Sequence, residues 1–476
     1  MTVQQKAFKS RRRYNQWVTN QTLEDFALRY TPVSARRWSA KRVVMTALSA
    51  ITFLALEAIG GALTLTYGFN YVVVAVILVS IIIFALSMPI AINAAKNGLD
   101  IDLLTRGAGF GYLGSTVTSL IYASFTFIFF ALEAAIMAMA LNMLFGLPLH
   151  FGYLIGSVVV IPLVTWGFTF ISRFQQFTQF CWLALQLLPF IFILIREHHV
   201  LQNWIDFPGF ITARDGSFDF LQLGAVCSVL LSLVSQVGEQ VDQVRFLPKP
   251  QHPARWRWYG AVIAAGPGWV VIGAIKILLG SFLAVLAFNY GLGAELASEP
   301  THMYLVAFSY VTHSSSTLLA LTGIFVVLSQ LKINVTNAYA GSIAWSNFFL
   351  RLTHRHPGRV VWLFFNVGIA LLLMELGVYR VFEDILGIYA VAATSWLGSV
   401  VADITLNKWL KLRPAEIEFR RAYLYDINPV GIGSMTLAML CGLSAWMGWL
   451  GHPLQVFASM LSLCLTFITA PFIAWL

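Results

Sequence analysis

The most chemically unusual stretch of the sequence lies inside a long apolar run, at residues 327–345. Five polar side chains interrupt that run: Gln330, Lys332, Asn334, Thr336 and Asn337. Polar atoms in hydrocarbon cost free energy unless they are paired or line a cavity. We therefore expect these side chains to have buried partners and a ligand, and we expect the rest of the chain to supply them.

Other ionisable residues lie at similar depth in apolar runs: Glu57, Glu133, Glu239 and Lys276, with Glu375 nearer the end of a run. Such residues are rare inside membranes, tend to face the interior and are candidates for function, although a structural ion pair is the alternative. Opposite charges that lie close together stabilise each other's ionised form. We predict two such pairs as hypotheses, Glu57 with Lys332 and Glu239 with Lys276.

Phe129 and Glu133 are one helical turn apart in the run FTFIFFALEAAIMAMAL. An aromatic ring and a carboxylate therefore share one side of a helix. Aromatic rings with a few placed polar groups suit a small planar ligand. Packing against lipid or core is the alternative for Phe129, and Phe125 and Phe130 are equally aromatic neighbours.

The composition places these residues in a membrane protein. The chain is 58% hydrophobic and 11% charged, with a mean hydropathy of +0.76, and runs long enough to cross a bilayer recur from about residue 43 onwards. We predict an all-α polytopic protein with a basic arm at residues 1–42 and one membrane domain at 43–476. Twelve spans are expected, at about 43–67, 71–96, 113–145, 149–171, 175–195, 219–242, 259–288, 315–349, 360–378, 381–405, 428–449 and 454–476.

The distribution of basic residues predicts the orientation. Of the 30 lysines and arginines, only Arg196, Arg214 and Arg380 fall in outside loops, and only Lys276 and Lys332 fall within spans. The remainder lie in the arm and in the alternate loops, which the positive-inside rule assigns to the cytoplasm. We therefore expect a multi-pass protein of the plasma (inner) membrane with both termini cytoplasmic, and no nucleic-acid partner despite the net charge of +9. The arm serves as a topology anchor or, alternatively, as a gate.

Two predicted spans carry signals of a broken helix. In span 1, Glu57 precedes the adjacent Gly60 and Gly61. Span 6 is interrupted by Ser235, Gln236, Gly238, Glu239 and Gln240. Adjacent glycines weaken a helix, and polar side chains take up freed backbone groups. Interrupted segments at matching positions of two halves point to an inverted-repeat transporter with a site at the membrane midplane, and ordinary kinked helices are the alternative.

The remaining motifs give no sign of catalysis. The sequence has no phosphate-binding glycine loop, no HExxH and no nucleophile elbow, so we predict that the protein is not an enzyme and has no cofactor or metal. The four cysteines lie in apolar runs without metal or disulfide spacing. Residues 289–314 form a long external connection whose second half is apolar enough to fold back over the site as a short helix.

Three segments resemble the nucleobase:cation symporter-1 family of purine/cytosine permeases and allantoin and hydantoin transporters. They are TLEDFALRYTPVSARRWS before span 1, NGLDIDLLTRGAGFGYLGS between spans 2 and 3, and the ending Asp242-Gln-Val-Arg245-Phe246 of span 6. Asn337 stands where the family places an asparagine in span 8. The resemblance covers nearly the whole chain. It implies a LeuT-like fold of two inverted five-span repeats, at about 43–195 and 219–405, with broken spans 1 and 6 and extra helices at about 428–476.

The resemblance also implies secondary active transport of a small nitrogen heterocycle by alternating access. The substrate, a nucleobase, hydantoin, allantoin or related vitamin, would lie between spans 1, 3, 6 and 8. The matching positions here are Phe129, Glu133, Gln236, Gly238, Glu239 and Asn337. The carboxylates of Glu133 and Glu239 favour a ligand that is cationic or rich in N–H donors, such as cytosine or guanine.

The chain departs from the family where sodium-coupled relatives carry small hydroxyl residues, because it has Leu331 and Lys332 there. A buried lysine ammonium brings the charge of a sodium ion and can lose its proton near neutral pH. We predict sodium-independent transport with protons as the alternative coupling ion, and assign coupling to Lys332, Glu57 and Lys276. Relatives also often carry Trp and Gln at the positions of Phe129 and Glu133.

A second class of function stays open. The chain stops at Leu476, inside or barely past the last span, without a basic tail. A LeuT-like module that senses a ligand for a larger signalling protein, with a cytoplasmic domain beyond this residue, is therefore the alternative to a transporter.

Overall fold

Nine helices in the described part of the chain are long and apolar enough to cross a membrane, which confirms an α-helical multi-pass membrane protein. The structure is a computed structural model that describes residues 13–14, 31–36, 38–211, 218–250, 255–414 and 416–476. Most of the predicted arm and the outside residue Arg214 lie outside the described residues. Besides helices, the described ranges contain one parallel pair of two-residue strands, β1 (Arg13–Tyr14) and β2 (Arg355–His356).

The described residues of the first half of the chain form eleven α-helices. They are α1 (Ala40–Ser49), α2 (Ala55–Tyr67), α3 (Phe69–Asn97), α4 (Ile101–Thr105), α5 (Ser115–Phe145), α6 (Leu149–Val158), α7 (Val160–Thr165), α8 (Gly167–Arg196), α9 (Val200–Ile205), α10 (Phe220–Leu230) and α11 (Gln236–Val244). A π-helical turn at Arg106–Phe110 follows α4, and a 3-10 helix at Leu231–Ser235 joins α10 to α11.

The second half forms ten more. They are α12 (Arg255–Ala265), α13 (Trp269–Asn289), α14 (Ala294–Ala297), α15 (Pro300–Ser309), α16 (Ser315–Thr353), α17 (Arg359–Glu375), α18 (Phe382–Ala402), α19 (Pro429–Trp446), α20 (His452–Val456) and α21 (Ala458–Trp475). A π-helical segment at Asp403–Asn407 extends α18.

The membrane-length helices match nine of the predicted spans, namely 2, 3, 5, 6, 7, 8, 10, 11 and 12. The other three predicted spans lie in shorter helices. Span 1 is divided between α1 and α2, span 4 between α6 and α7, and span 9 is α17. The count of twelve spans stays a prediction.

The first span is broken, but not at the predicted glycines. Helix α1 ends at Ser49 and α2 begins only at Ala55, so the break lies at residues 50–54. The hydroxyl of Thr52 donates to the carbonyl of Ser329 at 2.9 Å. Freed backbone groups in a membrane need such partners. The prediction that Gly60 and Gly61 mark the break is wrong. The break forms where side chains from distant segments can hydrogen-bond to its freed backbone groups.

Gly60 instead permits close packing of two helices. A Cβ atom on Gly60 would lie 2.0 Å from the carbonyl oxygen of Ile277, and one on Gly280 would lie 2.2 Å from the Cα atom of Glu57. A Cβ atom on Gly61 would lie 2.4 Å from the Cε atom of Met303. Helices α2 and α13 therefore meet backbone to backbone, as small residues allow in membranes.

We expect Gly60→Ala to destabilise the protein by about 1–3 kcal/mol, because the added methyl group forces the backbones of α2 and α13 apart. Gly368 in α17 is a matched control, since a Cβ atom there would meet nothing within 4 Å. Gly368→Ala should be neutral or stabilising by up to about 1 kcal/mol, the difference in helix propensity. Thermal unfolding in detergent checks this, and equal melting temperatures for the two variants would contradict the packing.

The break in the sixth span lies next to the residues that predicted it. The 3-10 helix at Leu231–Ser235 ends where Gln236 begins α11. The hydroxyl of Tyr389 donates to Ser235 Oγ at 2.7 Å. Gly238, however, lies inside α11, where a Cβ atom would be 2.4 Å from the ring of Tyr122. The prediction that Gly238 is itself a helix break is therefore wrong, since it provides space for an aromatic ring.

The external connection forms the short helix that the sequence predicts. Helix α15 begins at Pro300, and the Glu299 carboxylate caps it by accepting the backbone N–H groups of Thr301 at 3.0 Å and His302 at 3.1 Å. Tyr304 is buried against α13 and α16. This helix therefore packs on the bundle and brings a phenol into its interior.

His302 makes the N-terminal cap of α15 sensitive to pH. Its imidazole is hydrogen-bonded to Glu299, and this bond raises the pKa of His302. A raised pKa contributes stability that is complete below the unfolded value of about 6.5 and is lost as pH rises through the folded value. The contribution should be below about 1 kcal/mol because the side chain is partly exposed. Melting temperature should fall between about pH 6 and 8 more in the wild type than in His302→Gln; parallel curves would contradict it.

Candidate functional site

The break in the first span meets two buried polar side chains. Glu133 on α5 accepts the backbone N–H of Ala55 at 3.4 Å through Oε1, and Gln330 on α16 accepts that of Leu54 at 3.3 Å. Both side chains are fully buried. These donors are the first backbone groups of α2, where a carboxylate is favoured by the helix dipole. The Glu133 carboxylate and the Gln330 side chain also interact with each other, so the two form one buried polar cluster at the start of α2.

Aromatic rings line the same region. Phe129 contacts Phe125 with ring centroids 4.5 Å apart and Phe53 at 6.4 Å. Phe125 in turn stacks with Tyr389 at 6.1 Å. Phe53 belongs to the break of the first span, and Tyr389 bonds the break of the sixth. The two broken segments are therefore bridged by aromatic side chains, with Phe129 between them and one turn from Glu133.

Glu239 lies on α11 with a different partner from the predicted one. Gln236 Nε2 donates to Glu239 Oε2 at 2.8 Å, and Oε1 of Glu239 has no hydrogen-bond partner among the described residues. On the same helix, Asp242 accepts the hydroxyl of Tyr122 at 2.9 Å. The predicted pair of Glu239 with Lys276 is wrong, because Lys276 is engaged elsewhere.

Glu57 and Lys276 form a buried ion pair. Lys276 Nζ donates to Glu57 Oε1 at 2.5 Å, and the Tyr304 hydroxyl donates to the same oxygen at 3.3 Å. The ring of Trp182 lies 5.4 Å from the Lys276 ammonium, within the range of a cation–π contact. The predicted pair of Glu57 with Lys332 is therefore wrong. The glycine contact between α2 and α13 explains this, because it places Glu57 beside Lys276.

Lys332 belongs to α16, and its side chain points to α8. Its ammonium donates to the carbonyl of Gln175 and to Thr178 Oγ1, both at 3.0 Å. Gln175 Nε2 donates back to the Lys332 carbonyl at 2.7 Å. No carboxylate of the described residues lies within salt-bridge distance of it. The ammonium is therefore held by neutral oxygens, as a monovalent cation would be.

Three polar residues share one face of α16: Gln330, Asn334 and Asn337. Asn337 Nδ2 donates to Asn334 Oδ1 at 3.3 Å, whereas Asn337 Oδ1 and Asn334 Nδ2 have no partner in the described part of the chain. A rise of 1.5 Å per residue places Asn337 about 10 Å from Gln330 along the helix. The structure thus brings Phe129, Glu133 and Gln330 together at the break. It does not join Gln236, Glu239 or Asn337 to them by any hydrogen bond among the described residues.

Sequence reasoning missed four residues that complete the site. Phe53 and Thr52 form the first break, Tyr389 holds the second, and Tyr304 reaches Glu57 from the external helix. Only Tyr304 had a local signal, since it lies in the apolar half of the external connection. The other three stand in ordinary apolar runs, and their roles depend on which helices meet.

Two of the segments that carry the family resemblance, the loop after α3 and the end of α11, contact each other at the arm end of the bundle. Arg245 lies 3.4 Å from Asp100 and donates to the Tyr339 hydroxyl at 3.2 Å. Asp102 accepts from Asn347 at 2.7 Å and lies 3.8 Å from Arg351. All of these groups are buried. The loop after α3 is therefore fixed to the ends of α11 and α16 by two ion pairs, below the site.

Comparison with known proteins identifies the fold. No protein-family model matches the sequence, and neither does any curated protein. Mhp1, a nucleobase-cation-symport-1 family transporter solved in a closed conformation with bromovinylhydantoin bound, matches over 95% of both chains with a TM-score of 0.67 and 16% identity. Its inward-facing conformation matches over 90% of both chains, with a TM-score of 0.66 and 17% identity.

A more distant transporter has the same fold. A Na+-coupled sialic acid symporter, solved in a substrate-bound outward-open state, matches over 96% of this chain and 94% of its own, with a TM-score of 0.61 and 14% identity. These neighbours are membrane transporters and not enzymes. At these identities the likeness concerns the fold, and it confirms at that level the resemblance seen in the sequence.

Proposed function

We propose that this protein is a secondary active transporter that moves a small nitrogen heterocycle by alternating access. The observation that carries the proposal is the buried contact of Glu133 and Gln330 with the broken first span, beside Phe129 and Phe53. Broken helices at the midplane, aromatic rings and a few polar groups are the features of a transporter site for a planar ligand. The fold shared with Mhp1 supports this assignment.

The polar groups of the site favour N–H donors on the ligand. One oxygen of Glu239 and the side-chain oxygen of Asn337 are buried acceptors without a hydrogen-bond donor among the described residues, and Glu133 adds a buried carboxylate. A buried acceptor costs free energy until a donor reaches it. We infer a nucleobase such as guanine or cytosine, a hydantoin or allantoin, or a related vitamin amine as substrate, with Gln236 and Gly238 contributing from the second break. A ligand carboxylate would be repelled.

Coupling is proposed to be independent of sodium and linked to protons. Lys332 is held by the Gln175 carbonyl and Thr178 at the position where sodium-coupled relatives have hydroxyl residues. A protonated ammonium there supplies the charge and hydrogen bonds of a bound ion, and its deprotonation replaces ion release. Glu57 and Lys276 neutralise each other, so their role in coupling is to hold α2 against α13 rather than to carry the proton.

We further infer twelve spans arranged as two inverted five-span repeats, at about 43–195 and 219–405, with extra helices at about 428–476 and the arm at 1–42. The protein would lie in the plasma (inner) membrane with both termini cytoplasmic. The distribution of lysine and arginine supports this orientation.

A thermal-shift screen tests the substrate class. Purified protein would be heated with nucleobases, hydantoins and vitamin heterocycles, each with and without sodium. A ligand at 100 times its Kd stabilises the folded state by about 2.7 kcal/mol. We expect a neutral or cationic heterocycle rich in N–H groups to raise the melting temperature by the same amount with and without sodium. A response confined to carboxylate ligands, or one that needs sodium, would overturn the assignment.

A further inference from the structure

Helix α8 carries a polar stripe along a membrane-length helix. The stripe consists of Ser172, Gln175, Gln176, Gln179, Trp182 and Gln186. Their spacing of three, four and seven residues places them on one side of the helix. The opposite side is apolar, since Phe177 is 87% exposed and Phe180 is 84% exposed. In a bilayer these phenylalanines face lipid, whereas Ser172, Gln175, Trp182 and Gln186 are buried in the bundle.

The arm end of the stripe meets α1. Arg42 Nε donates to Ser172 Oγ at 3.1 Å, and the hydroxyls of Thr46 and Ser172 are hydrogen-bonded at 2.9 Å. Gln176 Nε2 donates to both hydroxyls, at 3.3 Å to Thr46 and 3.1 Å to Ser172. Arg42 is close to the start of α1 and is partly exposed. The stripe therefore begins where water reaches the bundle.

The middle and far end of the stripe meet the charged groups of the site. Gln175 and Thr178 hold Lys332, as described above. One turn further, Trp182 Nε1 donates to Ser329 Oγ at 2.9 Å while its ring faces Lys276. Gln186 Nε2 donates to the Tyr304 hydroxyl at 2.7 Å. Three groups of polar contacts thus follow one another along α8, around Ser172, around Lys332, and around Trp182 and Gln186.

Three glutamines of the stripe have a side-chain oxygen that is buried without a hydrogen-bond partner in the described residues. These are the Oε1 atoms of Gln175, Gln179 and Gln186. Buried acceptors in proteins are satisfied by a protein donor or by water. They recur over a rise of about 16 Å along the helix. A row of such acceptors between helices is suited to an ordered file of water.

The charged side chains around Lys332 do not contact it, so the release of its proton depends on water along the stripe. Of the helices packed against α16, α5 contributes Glu133, which bonds the first break, and α11 contributes Glu239, which bonds Gln236. Helix α17 contributes Arg359, which donates to Ser342 and to the carbonyls of Val164 and Thr165. The other charged side chains on these helices and on α8 itself are Asp242, which accepts the Tyr122 hydroxyl, and five that lie towards the ends of the bundle: Arg173, Arg196, His302, Arg351 and Glu375. None of these forms a contact with Lys332, so its proton needs water to leave.

We propose that the stripe on α8 is a hydrated path through which Lys332 exchanges its proton with the side of the membrane that carries the arm. The path runs between α1, α8 and α16. Water hydrogen-bonded to Gln175 and then to Ser172 passes the proton from the ammonium towards the arm side. The role of Lys332 in coupling rests on the proposed function, whereas the hydration of the stripe does not.

Cysteine accessibility tests the path without a substrate. In the full chain with its four native cysteines replaced by serine or alanine, Gln179→Cys is compared with Phe180→Cys, its lipid-facing neighbour. Ag+, a thiol-reactive and membrane-impermeant ion small enough to enter a file of water, is added to right-side-out and to inside-out vesicles. Thiols react as thiolates, which form in water and not in lipid. We expect Gln179→Cys to react at least about tenfold faster than Phe180→Cys, and only from the arm side.

Ser172→Cys and Phe177→Cys form a second matched pair nearer the arm, for use if the first pair folds poorly. Equal rates within a pair, or reaction only from the far side, would overturn the path. The outcome is distinguishable from failure of the proposed function. Sodium-driven uptake with a reactive stripe would refute proton coupling and leave the hydrated path, whereas proton-driven uptake with an unreactive stripe would refute the path alone.

Discussion

Replacing Lys276 by methionine is expected to destabilise the protein by about 3–5 kcal/mol, the cost of leaving a buried charge without its partner. Glu57 is fully buried and Lys276 nearly so, and their polar atoms lie 2.5 Å apart. Once the ammonium is gone, the Glu57 carboxylate loses its charged donor, although the Tyr304 hydroxyl still donates to it. Neutralising Glu57 alone as Glu57→Gln should cost a similar amount, because it leaves the ammonium unpaired.

The double variant Glu57→Gln with Lys276→Met distinguishes pairing from packing. It should recover most of the stability lost by either single variant, because no buried charge is left unpaired. Lys408→Met is the matched control, since Lys408 is exposed at the end of the π-helical segment. Thermal unfolding in detergent measures all four. Additive losses in the double variant would contradict the ion pair as the source of the effect.

Glu133→Gln is expected to weaken binding of the heterocycle found in the thermal screen by about 10- to 100-fold. A hydrogen bond to a charged group contributes about 1.5–3 kcal/mol, and each 1.4 kcal/mol is a factor of ten in Kd. Glutamine keeps an oxygen that can accept the N–H of Ala55, so the broken first span should persist. The loss should therefore appear in the Kd and not in the melting temperature of the free protein.

Glu375→Gln provides the control for this prediction. Glu375 ends α17 and is partly exposed beside His150, 3.4 Å away, outside the aromatic site. Titration calorimetry of both variants should give an unchanged Kd for Glu375→Gln. Unchanged binding by Glu133→Gln would show that the Glu133 carboxylate does not take part in ligand binding.

The features that depend on local pattern could be predicted from the sequence. The membrane class follows from the apolar runs, and the break of the sixth span lies directly before the polar residues that predicted it. The external helix also followed from its composition. In each case the signal and the structure involve the same few residues.

The features that depend on how helices rotate against one another could not be predicted. Lys332 was expected to meet Glu57, but its side chain points to Gln175 on α8. Glu57 meets Lys276 because glycines let α2 and α13 approach closely, which a single helix does not reveal. The first break lies at 50–54 because Gln330 and Glu133 arrive there from distant segments. Partner choice is thus set by tertiary packing and not by residue type.

Uptake into proteoliposomes tests the central claim most directly. A radiolabelled heterocycle chosen from the thermal screen would be offered to vesicles with an imposed proton gradient in sodium-free buffer, and separately with a sodium gradient at constant pH. We predict concentrative uptake driven by the proton gradient alone, and loss of that response in Lys332→Met. Uptake that requires the sodium gradient, or binding without any uptake as expected of a ligand-sensing module, would contradict a proton-linked transporter.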